Sequence, residues 1–254
     1  MQTLKTSGIE FEAGRWPLDP ARDTIVFIHG SGGTNILWRS QVEMLAGSFN
    51  TVALNLPGHG NSDGHGLNRI EDYAQSVSQF IRSIEVNMPV ICGLSIGGAI
   101  VLQLLIEQRE RCKAGIVVNA GARLKVMPLI FEMVEKDYQG FVTSMYTFGV
   151  SQKTAPSLLK PLADSMSACP PAVTLCDFTA CNTFDVMDRL GKIDVPVLVL
   201  TASDDQLTPG KYGRFLAERI QTAEIVNIED AGHLAPVEKP EEVARAIQTF
   251  LAKL

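Results

Sequence analysis

Short runs of apolar and β-branched residues alternate with longer segments of helical period along most of the chain. The short runs are typical of buried parallel strands, and they predict strands at Thr24–Ile28, Thr51–Leu54, Pro89–Cys92, Gly115–Asn119, Val195–Thr201 and Ala223–Ile228, with an antiparallel lead-in at Ile9–Glu12. The longer segments predict helices at Trp38–Leu45, Ile70–Ile84, Ile96–Gln108, Lys211–Ile220 and Glu241–Ala252. Asn68 and Glu71 have the spacing of a capping box before the second of these helices. The alternation predicts an α/β fold, with a mostly parallel sheet flanked by helices.

The alternation is interrupted once, between about Ala122 and Asp188, where four helical stretches follow one another with no clear strand: Pro128–Lys136, Gly140–Thr147, Pro156–Ser167 and Ala172–Asn182. We therefore expect a helical lid at residues 122–188, inserted into a core made of residues 1–121 and 189–254. The lid segment holds five of the eight Met and five of the eleven Phe. This excess of apolar surface predicts a cavity between lid and core, although helix packing against the sheet would use the same residues. The pocket candidates are Phe131, Met145, Phe148, Leu207 and Leu234.

One stretch, Val86–Ile106, runs 21 residues without a charge and is long enough to span a bilayer. It contains four polar or glycine positions around Ser95 behind a β-rich run, which favours a buried strand followed by a buried helix over a membrane span.

Composition narrows the function classes. With 254 residues, 46% hydrophobic side chains and a formal net charge of −6, the chain can bury a full core and lacks the positive field that draws proteins to nucleic acid. The five cysteines show no metal-ligand spacing, and the first residues have no apolar signal-peptide core. We expect a cytoplasmic protein with a small-molecule substrate, no nucleic-acid partner and no membrane span; the composition does not indicate an oligomeric state.

The uncharged stretch also contains a candidate nucleophile. Its residues Gly93-Leu94-Ser95-Ile96-Gly97 read G-x-S-x-G between a strand and a helix, the arrangement of a tight turn that exposes a serine hydroxyl at the edge of a sheet. A helix N-cap would explain the serine but not the two glycines. Because the helix begins at this turn, the backbone N–H of Ile96 can donate to a developing oxyanion.

A second N–H donor is predicted after the first central strand, in His29-Gly30-Ser31-Gly32-Gly33. This loop could cradle a phosphate, but the G-x-G-x-x-G spacing and a following Gly-Lys-Ser/Thr are both missing. We favour an oxyanion donor, the N–H of Ser31.

With these two motifs and Asn55-Leu-Pro-Gly-His-Gly-Asn-Ser62 after the next strand, the sequence resembles the α/β-hydrolase fold superfamily, in its serine-nucleophile branch. Members usually carry H-G-x-x-G, D-x-P-G-x-G-x-S and G-x-S-x-G after three successive strands. Asn55 stands where the family usually has Asp, and we expect that position to be structural. His59 and His65 could be metal ligands, but the glycine-rich setting favours a solvated turn.

A nucleophilic serine needs a base, and the base needs a carboxylate to hold its tautomer. His233 follows the last strand in a G-H-x-x-P setting similar to that of the family's base, which implies that it is the base here. The family's G-x-x-D-x-x-x-P implies that Asp205 is the acid, and Asp204 is then expected to bond its own backbone in a turn. The order Ser95, Asp205, His233 is the order of this fold.

The resemblance implies a serine hydrolase. The low-charge, Met- and Phe-rich lid suggests that its substrate is a carboxylic ester, lactone or thioester with a mostly apolar acyl or alcohol part. The overall layout of the sequence resembles that of small carboxylesterases, enol-lactonases and cofactor-free haloperoxidase-like esterases. No metal or organic cofactor is expected. The alternative is a C–C bond hydrolase of a diketone-type substrate. A ligand-binding homologue with little turnover is a third possibility, against which the complete triad argues.

Overall fold

A single eight-stranded sheet forms the centre of the computed structural model, which describes residues 1–108 and 111–254. Its strands are β1 (Gln2–Thr6), β2 (Ile9–Ala13), β3 (Thr24–Ile28), β4 (Asn50–Leu54), β5 (Val90–Leu94), β6 (Ala114–Val118), β7 (Val197–Ala202) and β8 (Ala223–Ile228). They are arranged in the order β1-β2-β4-β3-β5-β6-β7-β8. Strands β3 to β8 are parallel, and β2 joins β4 antiparallel. The carboxyl ends of all six parallel strands therefore meet at one edge, where ligands bind in open α/β sheets.

Helices cover both faces of the sheet. They are α1 (Arg39–Leu45), α2 (Ile70–Ser83), α3 (Ile96–Glu107), α4 (Pro128–Lys136), α5 (Tyr138–Phe148), α6 (Pro156–Ala168), α7 (Pro171–Thr183), α8 (Lys211–Arg219), α9 (Ala235–Glu238) and α10 (Pro240–Leu251). Helices α2, α3 and α8 pack on one face, and α1 and α10 on the other. The α/β fold predicted from the alternating pattern is confirmed.

The edge strand β1 was not predicted from the pattern. Its residues are mostly polar and exposed, and within it only Leu4 packs against the core. It forms because the hairpin with β2 satisfies its backbone groups. Because this edge strand is stabilised by pairing, its sequence has no apolar alternation from which a strand could be predicted.

The capping box expected at Asn68 and Glu71 is wrong. Helix α2 begins at Ile70, and its N-cap is Arg69 in an extended conformation with no side-chain cap bond. Asn68 therefore lies one residue too early for its side chain to cap the helix.

The 21-residue uncharged stretch becomes the buried strand β5 and the buried helix α3. Helix α3 is apolar on nearly every face because it packs between the sheet and its neighbours. In the part of the chain that the structure describes, no helix is long and apolar enough to cross a membrane.

Helices α4 to α7 follow one another between β6 and β7, and we call them the inserted helices. The ends of this segment are held together by an antiparallel bridge between Arg123 and Asp185, and the N–H of Val186 donates to the carbonyl of Ala122 at 2.8 Å. The inserted helices have a small apolar cluster of their own, around Phe141. The exact division into a core and a lid at 122–188 stays a prediction.

Candidate active site

Ser95 lies at the turn between β5 and α3, in a conformation that serine rarely adopts. Its φ of 57° and ψ of −115° are strained for a residue with a side chain. A Cβ atom on Gly93 would lie 2.2 Å from the backbone of Gly97, and one on Gly97 would lie 2.5 Å from the carbonyl oxygen of Ile28. The two glycines are therefore required by close backbone packing, which holds the turn and directs Ser95 to the cavity at the carboxyl edge.

His233 follows β8 and lines the same cavity as Ser95. Its Nδ1 lies 3.0 Å from Oδ2 of Asp205, and its side chain is almost fully buried. A carboxylate can only accept here, so Nδ1 carries the proton and Nε2 has a free lone pair. Among the described residues, nothing bonds to Nε2.

Asp205 accepts four hydrogen bonds. Its Oδ1 accepts the N–H groups of Leu207 and Thr208, both at 2.9 Å, and its Oδ2 accepts the Thr208 hydroxyl at 2.7 Å besides His233. Burial by itself would raise the pKa of Asp205, but the electrostatic attraction to His233 and these hydrogen bonds outweigh it, so the pKa lies below its usual range. Asp205 is therefore an ionised, fixed partner for the imidazole.

The sequence led us to expect that Asp204 bonds its own backbone in a turn, and this expectation is wrong. The two oxygens of Asp204 accept the hydroxyls of Ser151 and Ser203. Ser151 follows the inserted helix α5, so its contact links Asp204 to the segment of the inserted helices.

The two predicted oxyanion donors are the backbone N–H groups of Ile96, in the turn of Ser95, and of Ser31, in the loop after β3. The N–H of Ile96 is in the first turn of α3, where no intrahelical acceptor exists, and Ser31 lines the cavity after β3. Neither N–H donates to any residue that the structure describes. The carbonyl of Gly30 accepts Nδ1–H of His29 at 2.8 Å and the N–H of Gly33 at 3.0 Å. Since the C=O and N–H of a trans peptide point in opposite directions, these bonds turn the N–H of Ser31 the other way.

The cavity has a volume of about 340 Å³ and lies between the carboxyl edge of the sheet and the inserted helices. Three of the five pocket candidates, Met145, Leu207 and Leu234, line it. The other two, Phe131 and Phe148, do not, which corrects the expectation for them. Residues of a helix are turned by about 100° from one to the next, so Phe131 is rotated off the face that carries Ile130, and Phe148 lies beyond the face formed by Met145 and Tyr146.

Two polar residues that support His233 were missed from the sequence. Thr208 donates to Asp205 and also lies 3.1 Å from Nδ1 of His233. Asn119 directly follows β6, has a φ of 44° and donates Nδ2–H to the carbonyls of Gly232 and His233. A hydroxyl three residues after the acid was a usable signal for Thr208, whereas only the tertiary fold brings Asn119 to the His233 loop.

Asn55 is structural, as expected. It is buried, its Oδ1 accepts the N–H of Asn35 at 2.7 Å, and its Nδ2 donates to Oε2 of Glu10 at 2.6 Å. An aspartate could not donate to Glu10, which gives a physical reason for asparagine in place of the usual residue.

The expectation of a solvated turn is wrong for His59. His65 is exposed, but His59 is fully buried, and its Nε2 lies 2.9 Å from Oδ2 of Asp177 in helix α7. The glycines around His59 fold the turn inward beneath α7 instead of into solvent. No group of three or more His, Cys, Asp or Glu side chains within residues 1–108 and 111–254 is arranged to hold a metal ion.

Residues 25–246 match the model of the alpha/beta hydrolase family. The chain belongs to the alpha/beta hydrolase family. It is therefore a hydrolase by family, and the family's three motifs lie at the carboxyl edge of its sheet.

Individual members of the alpha/beta hydrolase family agree with this assignment. The chain is 27% identical to 3-oxoadipate enol-lactonase 1 of Acinetobacter baylyi, an alignment that covers 91% of this chain and 89% of the relative. A solved enol-lactonase from Burkholderia xenovorans LB400 has a TM-score of 0.90 at 21% identity, covering 99% of this chain and all of that one. A thermophilic esterase of known structure is 29% identical with a TM-score of 0.85, covering 99% and 97%.

Proposed function

We propose that the protein is a serine hydrolase that cleaves a carboxylic ester, lactone or thioester through an acyl-enzyme. The observation that carries the proposal is that Ser95 and His233 line one cavity while Asp205 holds Nδ1 of His233 at 3.0 Å. This leaves Nε2 of His233 as the only ring nitrogen able to accept a proton, which is the requirement for a general base.

In the first half-reaction, Oγ of Ser95 attacks the substrate carbonyl carbon and its proton passes to Nε2 of His233. The carbonyl electron pair moves to oxygen, and the N–H groups of Ser31 and Ile96 donate to that oxyanion. Collapse re-forms the C=O bond and breaks the bond to the leaving oxygen or sulfur, which takes the proton from His233. Asp205 stabilises the imidazolium that exists between these two steps.

In the second half-reaction, water attacks the acyl carbon and gives its proton to Nε2 of His233. Collapse of the second tetrahedral intermediate breaks the bond to Oγ of Ser95, which recovers the proton, and the carboxylic acid is released. No group outside the chain and water is needed for this sequence of steps.

The cavity supports a substrate with a mostly apolar acyl or alcohol part. Aliphatic and aromatic side chains form most of its wall, from the inserted helices as well as from the sheet edge: Leu37, Leu124, Ile130, Met145, Met166, Phe178 and Leu234 among others.

We also propose that the inserted helices act as a lid over this cavity. We further propose a cytoplasmic location, which the free thiols of Cys92, Cys169, Cys176 and Cys181 support.

Labelling with a fluorophosphonate probe tests the proposal. The wild type is expected to be labelled and the Ser95→Ala variant to remain unlabelled, because the probe bonds covalently to an activated serine. A folded wild type that is not labelled would contradict a working serine hydrolase and would favour a ligand-binding protein.

A substrate panel separates the reaction types. p-Nitrophenyl esters of increasing acyl length are expected to be hydrolysed, and a ring-cleavage diketone is expected to be left intact. Cleavage of the diketone without ester turnover would replace ester hydrolysis with C–C bond hydrolysis.

A further inference from the structure

Asp177 in the inserted helix α7 is a buried carboxylate that the proposed reaction does not use. Three donors from separate parts of the core converge on it. Its Oδ2 accepts the N–H of Gly32 at 2.8 Å and lies 2.9 Å from Nε2 of His59, and its Oδ1 accepts the hydroxyl of Tyr73 at 2.5 Å. The side chains of Asp177, His59 and Tyr73 are all fully buried.

The charge state of this cluster follows from its hydrogen bonds. Both ring nitrogens of His59 face oxygen acceptors, Nε2 the carboxylate of Asp177 and Nδ1 the carbonyl of Pro57 at 3.1 Å. Only a doubly protonated ring can donate to both, so His59 is the cationic partner of an ionised Asp177.

The neighbouring His29 is neutral. Its Nε2 accepts the N–H of Leu56 at 3.0 Å, so the ring carries one proton, which Nδ1 donates to the carbonyl of Gly30. Burial, followed by repulsion from His59, lowers the pKa of His29 to about 3. The cluster thus has one cation and one anion.

These contacts hold the two peptide groups on either side of Ser31. On one side, His29 and Gly33 fix the carbonyl of Gly30; on the other, Asp177 fixes the N–H of Gly32. Gly32 has a φ of 64° and little steric restraint of its own. The N–H of Ser31 belongs to the first of these peptides, and the bond to Asp177 anchors the second. Without that bond, Ser31 is held on one side instead of two, and the direction of its N–H toward the oxyanion is less well fixed.

We propose that Asp177 is a positioning residue for the oxyanion-binding N–H of Ser31, with His59 as its counter-ion. The inference rests on the proposed serine hydrolase function. It makes the inserted helices part of the catalytic apparatus, because a carboxylate from α7 fixes a loop that stabilises the transition state. Removing a whole oxyanion donor costs about 10²–10³ in kcat, and a misaligned donor costs part of that.

Three variants test the proposal. Asp177→Asn keeps the shape and one acceptor oxygen but loses the charge, Asp177→Leu removes both acceptor oxygens, and Tyr73→Phe removes a donor to the same carboxylate without touching the Ser31 loop. Each is measured for kcat and KM on a p-nitrophenyl ester, for thermal unfolding, and for inhibition by phenylboronic acid. The boronate adduct with a serine is tetrahedral and anionic, so its affinity reports on the oxyanion donors.

We expect kcat to fall about 10-fold in Asp177→Asn and about 100-fold in Asp177→Leu, with KM within about twofold and phenylboronic acid weakened in parallel. In Tyr73→Phe we expect kcat within about twofold of wild type, although its unfolding temperature falls. If Asp177→Leu does not fold, the Asn variant decides, because it is isosteric.

Two outcomes would overturn the proposal while leaving the serine hydrolase intact. One is a folded Asp177→Asn with wild-type kcat and wild-type boronate affinity. The other is a loss of kcat in Tyr73→Phe as large as in Asp177→Asn, which would mean that the carboxylate acts only through stability. A wild type that neither hydrolyses esters nor reacts with a fluorophosphonate would contradict the proposed function first, and this inference with it.

Discussion

Within residues 1–108 and 111–254, two buried histidine–aspartate pairs have almost the same geometry but different surroundings. His233 and Asp205 are 3.0 Å apart, and His59 and Asp177 are 2.9 Å apart. In the first pair only Nδ1 of the ring is bonded, and the ring lines the cavity. In the second pair both ring nitrogens are bonded, and the ring is sealed beneath α7.

A buried histidine–aspartate pair is thus suited to proton transfer only where one ring nitrogen is left open to substrate. His233 can gain and lose a proton at Nε2, whereas His59 has a proton committed at each nitrogen. We therefore expect the first pair to carry activity and the second to carry stability and the position of the Ser31 loop.

The largest expected effect is on activity, from Asp205→Asn. An amide cannot hold the imidazole in the required tautomer or stabilise its positive charge, and we expect kcat to fall by about 10³–10⁴. The matched control is Asp204→Asn, whose parent carboxylate contacts two serine hydroxyls rather than His233, and its kcat should stay within a few-fold of wild type. The reverse ranking in steady-state kinetics would assign the acid to Asp204.

The second-largest expected effect is on the free energy of unfolding, and it is seen by comparing His59→Leu with His233→Leu. Removing His59 leaves Asp177 charged, fully buried and with two donors, and breaking such a pair costs about 3 kcal/mol. Asp205 keeps three donors beside an open cavity after His233 is removed, so we expect about 1 kcal/mol there. Urea unfolding measures both; equal losses would show that the two pairs are not divided between stability and activity.

The smallest effect is a pH dependence of the sealed pair. Burial by itself would lower the pKa of His59 and raise that of Asp177, but their mutual attraction and hydrogen bonds outweigh it in both cases. The pKa of His59 is therefore above its usual 6.5, and the pKa of Asp177 is below its usual 3.8.

The sign follows from linkage. The contribution of the pair is complete between about pH 4 and 6.5; it is lost as the pH rises through the folded pKa of His59, and as it falls through that of Asp177. Neutral His29 acts in the opposite direction below pH 6.5, since its pKa is lowered to about 3, and the hydroxyl of Tyr73 also faces the pair. The measurement is therefore a difference in unfolding free energy between wild type and Asp177→Asn across pH 5 to 9. A constant difference would contradict a charged pair.

The central strands and the nucleophile turn could be predicted because their signals are local. The mostly apolar runs of the central parallel strands, and Ser95 between glycines that the turn requires, depend on residues next to one another in the chain. The edge strand β1 could not be predicted in the same way, because it is stabilised by pairing with β2. The cap of α2 could not be predicted either, because it depends on the residue at which the helix begins.

The α/β fold and the family could be read from the sequence alone, and Ser95, Asp205 and His233 were predicted from it as the residues of the site. Only the tertiary structure decided which polar side chains meet across long separations. His59 and Asp177 are 118 residues apart, and nothing near either one indicates the other, so a turn that reads as solvated becomes a buried ion pair. The physical reason is that burial and pairing are properties of the packed inserted helices, whereas strand pattern and turn strain are properties of the local chain.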